Sequence, residues 1–294
     1  MSITQMNISR RSFNRSAAMA AAASALRPLS FAQSSSLPTA GQVVEIIKQH
    51  LDVTWNYKTY RDTFKAGDPN TPVKGIASCF MSTLDVLQRA HAQGLNFVIS
   101  HEPTFWSDAD LIEPIKKDAL YQEKLRFIES NGMVVWRIHD HWHRFRPEPM
   151  NVGVVRLLGW PVSPTGGRFY QFPAPVQLKD LAEQVAKRLF TRSVRIVGDP
   201  ELMVRTLGHG GHALSGHINA LEKADAAISS EVREWESVQY VRELINSGEK
   251  KGLILISHES GEEEGMVVFT EVMKSAVPNI RTVFVSTNDR KYFA

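Results

Sequence analysis

The 294-residue sequence contains a single cysteine, Cys79, so no disulfide can form within the chain in any redox compartment. The net charge is also small. The total is only +3, and residues 1–32 hold four arginines and no acid, so residues 33–294 carry a net charge of −1. Such a chain lacks the basic surface of nucleic-acid-binding proteins, and we expect no nucleic acid partner. With 43% hydrophobic residues, it can build one large domain or two lobes.

The four arginines lie in what resembles an export signal. Residues 9–13 read SRRSF, a twin-arginine motif, and an alanine-rich run follows that is too short to span a membrane. Small residues at Ser30 and Ala32 suit cleavage before Gln33. The sequence therefore predicts a twin-arginine signal peptide over residues 1–32 and a periplasmic mature protein that leaves the membrane after cleavage. A disordered basic arm and a short amphipathic helix are the alternatives.

Strand-like and helix-like segments alternate from about residue 39 to the end of the chain. Strands are predicted at 71–80 and 133–138, for example, with a long helix over 111–130 between them. Short links between such segments favour mainly parallel sheets covered by helices, an α/β fold. Proline and glycine concentrate in residues 161–175, which predicts a link between lobes at about 39–160 and 176–294 of one metal-binding region, 33–294.

Histidines and acids follow three of the predicted strands. His101 and Glu102 come directly after the apolar run NFVIS, and His258 follows the run LILIS. A third run, VVWRI, is followed by the segment HDHWH at residues 139–143. The carboxyl ends of parallel strands lie along one edge of a sheet, where ligands bind. The sequence therefore predicts a site at this edge.

His258 and Glu262 are four residues apart at a predicted helix start, so they share one helix face. An imidazole and a carboxylate at this spacing can chelate a divalent ion such as Zn, Mn or Fe. Alone the pair is weak evidence, because a run of three glutamates at a helix start is typical of a solvated face. Together with His101 and Glu102, which Pro103 holds in a fixed backbone, the pair favours a metal site.

The segment HDHWH has an alternative interpretation. Alternate strand residues point to one face, so His139, His141 and His143 could converge. A His-x-His pair at a strand end is also found in metal-dependent amidohydrolases. These enzymes fold as an eight-stranded barrel, which needs later ligand strands in an order that this chain lacks. The glycine-rich stretch 209–217 resembles a phosphate-binding loop only loosely, because no Lys-Ser/Thr ends it, and it favours a tight turn near the site.

Taken in order, these segments resemble a known family. The chain is similar to the NIF-three-like dinuclear metal-centre family, often labelled GTP cyclohydrolase I type 2, over roughly residues 39–293. The segments that carry the resemblance are NFVISHEP (96–103), MVVWRIHDHWH (133–143), ADAAISSE (224–231) and LILISHESGE (253–262).

Two positions depart from the family pattern. Where family members carry His-His-Pro, this chain has His101-Glu102-Pro103. Where they carry His-Thr-x-x-Asp, His139 begins the motif and His143 stands in place of the aspartate. A histidine and a carboxylate have thus exchanged places. We expect the double change Glu102→His with His143→Asp to recover much of the metal binding that each single change loses.

The resemblance implies the ligands of the metal centre. The family's set of three histidines and two carboxylates corresponds here to His101, Glu102, His143, His258 and Glu262. The expected cofactor is a divalent transition metal, Zn, Fe or Mn, with two ions bound; a single ion is the alternative. Whether His139, Asp140 or His141 also bind metal stays open.

The resemblance also implies two similar α/β lobes with the metal site in the cleft between them, and assembly into a toroidal homohexamer. The expected function is that of a metal-dependent hydrolase acting on an unknown small-molecule substrate. Glu231 or His139 would serve as general base or would orient a ligand. A non-catalytic periplasmic metal carrier or scaffold protein is the alternative, since it needs the same ligands.

Overall fold

The computed structural model describes residues 37–163, 168–191 and 194–287. The predicted signal peptide, residues 1–32, lies outside the described residues, as do residues 164–167 of the predicted link. No helix in the described ranges is both long enough and apolar enough to cross a membrane.

Ten strands in the described ranges form two five-stranded sheets, with the orders β1-β4-β3-β2-β10 and β5-β7-β8-β9-β6. The strands are β1 Phe64–Ala66, β2 Ile76–Met81, β3 Phe97–Glu102, β4 Val134–Arg137, β5 Phe169–Gln177, β6 Arg195–Val197, β7 Met203–His209, β8 Ala226–Ser230, β9 Gly252–Ile256 and β10 Thr282–Phe284. Strands β10, β2, β3 and β4 are parallel, as are β7, β8 and β9. Only β1, β5 and β6, each at an edge, run antiparallel to their neighbours. The predicted class, mainly parallel sheets with helices, is therefore confirmed.

Helices cover both faces of each sheet. They are α1 Ala40–Leu51, α2 Leu84–Ala92, α3 Ala119–Ser130, α4 Pro149–Leu158, α5 Leu178–Arg188, α6 Leu214–Lys223, α7 Gln239–Asn246, which follows a π-helical turn at Glu234–Val238, and α8 His258–Ala276. In the first sheet, Ile76 packs in the core with α1 and α8, whereas its neighbour Ala77 packs in the core with α2 and α3. Strand alternation thus gives each buried strand two apolar faces.

The last strand differs in position from the sequence-based lobes. β10 (Thr282–Phe284) pairs with β2 in the first sheet, although the sequence placed residues 176–294 in one lobe. Helix α8 makes this return possible, because it follows β9 of the second sheet and packs on β2 of the first. The second sheet is therefore complete at β9, and α8 belongs to the packing of both sheets.

The long helix predicted over residues 111–130 is shorter than expected. The observed α3 begins only at Ala119, where the Asp118 side chain accepts a hydrogen bond from the backbone N–H of Tyr121. Leu111 and Ile112, which the predicted helix included, are 61% and 40% exposed. An N-cap at Asp118 starts the helix afresh, and the preceding segment forms turns.

Candidate metal centre

The ends of strands from both sheets bring the predicted ligands together. His101 and Glu102 end β3, and His143 lies in the loop after β4. His258 and Glu262 lie in the first two turns of α8, one helical turn apart. Because α8 packs on the first sheet as well, its first two turns bring Glu262 to 3.2 Å from His101 and His258 to 3.6 Å from Glu102, at the carboxyl end of β3. The five predicted ligands therefore lie in one region, between the two sheets.

One group of candidate ligands consists of three imidazoles. Nitrogen atoms of His101, His139 and His143 all lie within 4.8 Å of one another. The ring centroid of His101 is 4.6 Å from that of His139 and 4.9 Å from that of His143. Three imidazoles at this spacing can hold one divalent ion. His139, which the sequence suggested as a general base or an orienting residue, thus lies in the ligand group itself.

A second group contains a histidine that the sequence argument missed. Ligand atoms of His212, His258 and Glu262 also lie within 4.8 Å of one another. His212 comes from the glycine-rich turn after β7, and its Nε2 lies 2.7 Å from Glu262 Oε1. The signal was available, since His212 follows a strand of the same parallel set as His258 and Glu231.

Two carboxylates lie between the two groups. Glu262 Oε2 is 3.2 Å from His101 Nε2 and 3.0 Å from His258 Nε2. Glu102 Oε1 is 3.6 Å from both His139 Nε2 and His258 Nε2, and 3.8 Å from His101 Nε2. Each carboxylate therefore reaches histidines of both groups, which is the arrangement that bridging ligands need.

All five histidines are held through the nitrogen that faces away from the centre. Each Nδ1 lies at hydrogen-bond distance from a carbonyl or carboxylate oxygen of another residue: His101 with Ile138 O (3.0 Å), His139 with Asp140 Oδ1 (3.0 Å), His143 with Glu148 Oε1 (3.0 Å), His212 with Ser230 O (2.5 Å) and His258 with Glu231 Oε2 (2.7 Å). Such contacts place the proton on Nδ1 and leave the Nε2 lone pair for a metal. Metal-binding histidines in proteins have this outer contact almost always.

His101 gives the clearest test of whether the residues fit a metal. Its side chain is fully buried, and its Nε2 makes no hydrogen bond to any described residue. A buried polar atom without a partner is costly, and native structures rarely leave one. Because that atom points at Glu262 and Glu102, a cation bound among them would satisfy it. The donor set therefore fits a divalent metal ion.

The charges of the group respond strongly to one another. Burial raises the pKa of Glu262, but the neighbouring rings of His101, His212 and His258 outweigh burial and hold this pKa well below its ordinary value. Burial lowers the pKa of His258, and the neighbouring carboxylates more than offset it, raising the pKa to about 9. In His139, burial and the nearby His101 lower the pKa to about 3, so this ring is neutral. A metal must therefore displace a proton from His258.

Glu231 lies at the edge of the site, on the exposed side. Its Oε2 accepts the hydrogen bond from His258, while the side chain is 68% exposed. The residue directly follows β8 and has a left-handed backbone (φ +42°), a conformation uncommon for glutamate. This turn aims the carboxylate at the outer nitrogen of His258, as expected of an orienting residue.

His141 and Asp140 are bound elsewhere. The His141 ring stacks on Trp55, with 3.6 Å between the ring centroids, and its Nε2 accepts a hydrogen bond from the backbone N–H of Asn56. Its Nδ1 donates to Asp62, so neither nitrogen is available to a metal. Asp140 accepts hydrogen bonds from Thr59 and contacts His139 Nδ1. The alternation of HDHWH therefore does not bring three histidines together; the loop delivers His139 and His143 only.

Arg137 supports Glu102 from behind. Its fully buried guanidinium donates to Glu102 Oε2 (3.1 Å) and to the backbone oxygens of His101 (2.9 Å) and Asp108. Glu102, together with the more exposed Asp108 (3.3 Å from the same nitrogen), neutralises this buried cation, and it faces the metal ligands with its other oxygen. A histidine at this position, as the family pattern has it, could not neutralise Arg137.

The glycine-rich turn 209–217 carries His212 into the site. Gly211 has φ +66°, and a Cβ on Gly216 would lie 2.1 Å from Gly210 O. Only glycine allows the turn to close so tightly. The interpretation as a tight turn next to the site is in keeping with this geometry.

A pocket of about 640 Å³ opens beside the second ligand group. His212 and His258 form part of its wall, with Glu231, Arg233 and Ser215 around them. This volume is within the range of small-molecule sites. A small molecule in the pocket would contact two of the candidate ligands directly.

Fold and site together define a class: an α/β protein of two five-stranded sheets with clusters of histidine and glutamate that could bind metal ions. The sequence profile of the Duf34/NIF3 family (NGG1p interacting factor 3) matches residues 38–291. The chain belongs to this family, so the resemblance found in the sequence is confirmed.

Individual relatives are more distant. A GTP cyclohydrolase 1 type 2 homolog of Clostridium acetobutylicum is 25% identical over 152 residues, which span 48% of this chain and 55%, about half, of that relative. The Bacillus cereus protein related to NIF3 has the same fold, with a TM-score of 0.67 at 12% identity over 86% of this chain and 98% of that one. A hypothetical protein of Staphylococcus aureus gives 0.65 at 15% identity over 86% and 98% of the two chains.

Proposed function

We propose that this protein is an exported metal-dependent hydrolase with a dinuclear centre. The observation that carries the proposal is the pocket beside His212 and His258, because it gives a small molecule access to candidate metal ligands. A site that only stored metal would not need such an opening. The substrate itself is not identified by these residues.

Two ions would be held by the two ligand groups. His101, His139 and His143 would hold one ion, and His212 and His258 the other, with Glu262 and Glu102 reaching both. Five neutral imidazoles and two carboxylates around two divalent cations leave a net charge of +2. Zn, Fe or Mn suits this nitrogen-rich set, whereas Mg and Ca prefer oxygen ligands.

Two such ions would supply Lewis acidity and a water activated for attack on a carbonyl or phosphoryl group. The remaining chemistry belongs to the protein. Glu231 Oε2 holds the His258 ring, and the exposed remainder of this carboxylate borders the pocket, where it can accept a proton. His139 is assigned to the ligands, because its ring is neutral and faces His101 and His143.

The test combines metal analysis with a substrate panel. Purified mature protein should contain bound transition metal, and some member of a panel of phosphoesters, amides, cyclic nucleotides and GTP should be hydrolysed. Glu231→Gln should abolish turnover and keep the metal, since glutamine can still accept from His258 but cannot take a proton. Glu236→Gln, on the same pocket wall, is the matched control and should stay active. Protein without any transition metal would overturn the proposal.

A second candidate, a periplasmic metal carrier or scaffold, is favoured by one observation. Seven side chains offer ligand atoms, enough to occupy most coordination positions of two tetrahedral ions. Exchange of metal with a chelator or another protein, without turnover of any panel substrate, would support the carrier. Turnover lost in Glu231→Gln would support the hydrolase.

Export and assembly complete the proposal. The twin-arginine motif at residues 9–13 supports export of the folded protein to the periplasm, with metal loaded beforehand. Membership of the family supports assembly into a homohexamer. Light scattering on the mature protein should give six times the mass of one mature chain, and a monomer mass would contradict the hexamer.

A further inference from the structure

A second pocket, of about 610 Å³, lies outside the metal centre and collects three arginines. They come from separate segments: Arg146 precedes α4, Arg156 lies in α4, and Arg168 directly precedes β5. Only Arg156 has an ion-pair partner among the described residues, Glu271 at 2.9 Å. Arg146 donates to backbone carbonyl oxygens, which hold its guanidinium in place without neutralising its charge.

The one acid in the pocket wall is already engaged. Glu148 contacts His143 Nδ1 at 3.0 Å through Oε1 and accepts from the backbone N–H of Asn151 through Oε2 as the N-cap of α4. With Arg156 neutralised by Glu271, the free charges of Arg146 and Arg168 remain to attract an anion.

Apart from Asn151, the rest of the wall is apolar. Val152, Val155 and Val162 line the pocket, and Val162 is 41% exposed. Valines beside guanidinium groups suit a ligand with an anionic head and an apolar body, because the head can pair with the arginines while the body packs on the valines. Arginine binds carboxylate and phosphate oxygens through paired N–H groups, so either head can be accepted.

We propose that this pocket is a second ligand site, for a small organic anion that binds Arg146 and Arg168 through its carboxylate or phosphate and the three valines through its aliphatic body. The site goes beyond the proposed metal chemistry. It borders the metal centre only at His143, which both Arg146 and Glu148 contact.

Calorimetry on the metal-loaded mature protein tests the site with four probes: hexanoate, hexyl phosphate, hexanol and acetate. At least one anion should bind, hexanol should bind far more weakly, and acetate should bind more weakly than hexanoate. The double variant Arg146→Gln, Arg168→Gln should weaken anion binding at least about tenfold. Both side chains are exposed, so folding and metal content should not change.

Arg126→Gln supplies the matched control, because it removes one exposed arginine of α3 outside the pocket. It should leave anion binding unchanged. Anion binding that survives in the double variant would place the anion on the metal ions instead and would overturn the inference. So would equal affinity for hexanol and hexanoate, or no binding of either anion. Loss of metal from the wild-type protein would contradict the proposed function but not this pocket.

Discussion

At the scale of single residues, the site depends on contacts that turn each imidazole. The five candidate histidines are held at Nδ1 by partners that are near in sequence for His139 and His143 but distant for His101 and His258. Ligand geometry is therefore fixed before any metal binds, which lowers the entropy cost of binding. Removing one of these rings, or the carboxylate that holds its Nδ1, should therefore lower the affinity for metal.

His212→Ala should weaken the binding of the ion proposed for the second ligand group by more than the roughly 10- to 100-fold that loss of an outer contact costs. The reason is that His212 Nε2 faces Glu262 in the second ligand group. Competition with a chelator, with metal counted per chain, measures the effect. His91→Ala, a change in α2 against Phe127 and outside both ligand groups, should keep full metal content. Equal metal content in both variants would remove His212 from the site.

The exchanged pair Glu102 and His143 permits a sharper test. Each single change, Glu102→His or His143→Asp, should weaken metal binding, and the double change should recover much of that loss. Stability should behave differently, because Glu102 also neutralises buried Arg137. The metal-free double variant should stay about as unstable as Glu102→His, roughly 3 kcal/mol below wild type.

Two measurements separate these effects. Chelator competition reports metal affinity, and urea unfolding of the metal-free proteins reports the free energy of unfolding. Additive losses of affinity in the double variant would show that Glu102 and His143 do not share a metal centre. Full recovery of stability would show that Arg137 does not depend on Glu102.

His209 gives a pH dependence with a definite sign. Both ring nitrogens are buried without hydrogen bonds to described residues, and burial, with help from Arg168, lowers the pKa from 6.5 to about 4. The unfolded chain therefore binds a proton that the folded protein refuses. The stability conferred by the neutral ring is complete above pH 6.5 and falls as pH drops toward 4, by up to about 3 kcal/mol.

The measurement is urea unfolding of metal-free wild type and His209→Phe between pH 7 and pH 4. The wild-type protein should lose more stability than the variant across this window, since phenylalanine does not titrate. Parallel curves for the two proteins would contradict the assignment of a neutral, buried His209.

At the scale of elements, the close packing of α4 on α8 positions the ligands of α8. A Cβ at Gly153 in α4 would lie 2.7 Å from the backbone carbon of Glu264 and 2.8 Å from Gly265 N. Backbone cannot yield as a side-chain end can, so the two helices must move apart to admit even a methyl group. Glu262 is in the same turn of α8 and would move with it.

Gly153→Ala should therefore lower the free energy of unfolding by about 1–3 kcal/mol and also weaken metal binding. Thermal unfolding and chelator competition measure the two effects. Gly41→Ala in α1 is the control, because its added Cβ would meet nothing closer than 3.4 Å. It should change stability by no more than about 1 kcal/mol and leave metal affinity alone. Unaltered metal affinity in Gly153→Ala would show that α8 tolerates displacement.

Elements were predictable where one signal was decisive. The start of α1 carries such a signal, a capping box at Thr39 and Gln42 in which both reciprocal hydrogen bonds form. The predicted start of α3 at residue 111 was wrong. Apolar periodicity placed Leu111 and Ile112 in the helix, but the N-cap at Asp118 begins it only at Ala119. Caps are made by specific hydrogen bonds, and apolar spacing does not report them.

At the scale of the whole molecule, we expect the twin-arginine motif at residues 9–13 to direct the protein to the periplasm. Replacing Arg10 and Arg11 by lysine should leave the full-length precursor in the cytoplasm, because the twin-arginine route reads the arginine pair. Cell fractionation with immunoblotting of both sizes is the measurement. Mature protein in the periplasm of the Arg10→Lys, Arg11→Lys strain would contradict the twin-arginine prediction, and Arg15→Lys, outside the pair, should be exported normally.

The sequence by itself determined the class of fold and the chemistry of the centre. Continuous apolar runs followed by His or Glu place these side chains at the carboxyl ends of parallel strands. Residue type then restricts the ion, since imidazole and carboxylate suit divalent transition metals.

Only the tertiary structure decided which histidines belong to the centre. Contacts with Asp62 and Trp55, about eighty residues away in the chain, hold His141 outside the centre. The glycine-rich turn after β7 brings His212 against Glu262 of α8, fifty residues further along the chain. The return of β10 to the first sheet likewise depends on where α8 packs. Local pattern sets which side chains reach the sheet edge, but the orientation of each ring follows from hydrogen bonds between segments that only folding brings together.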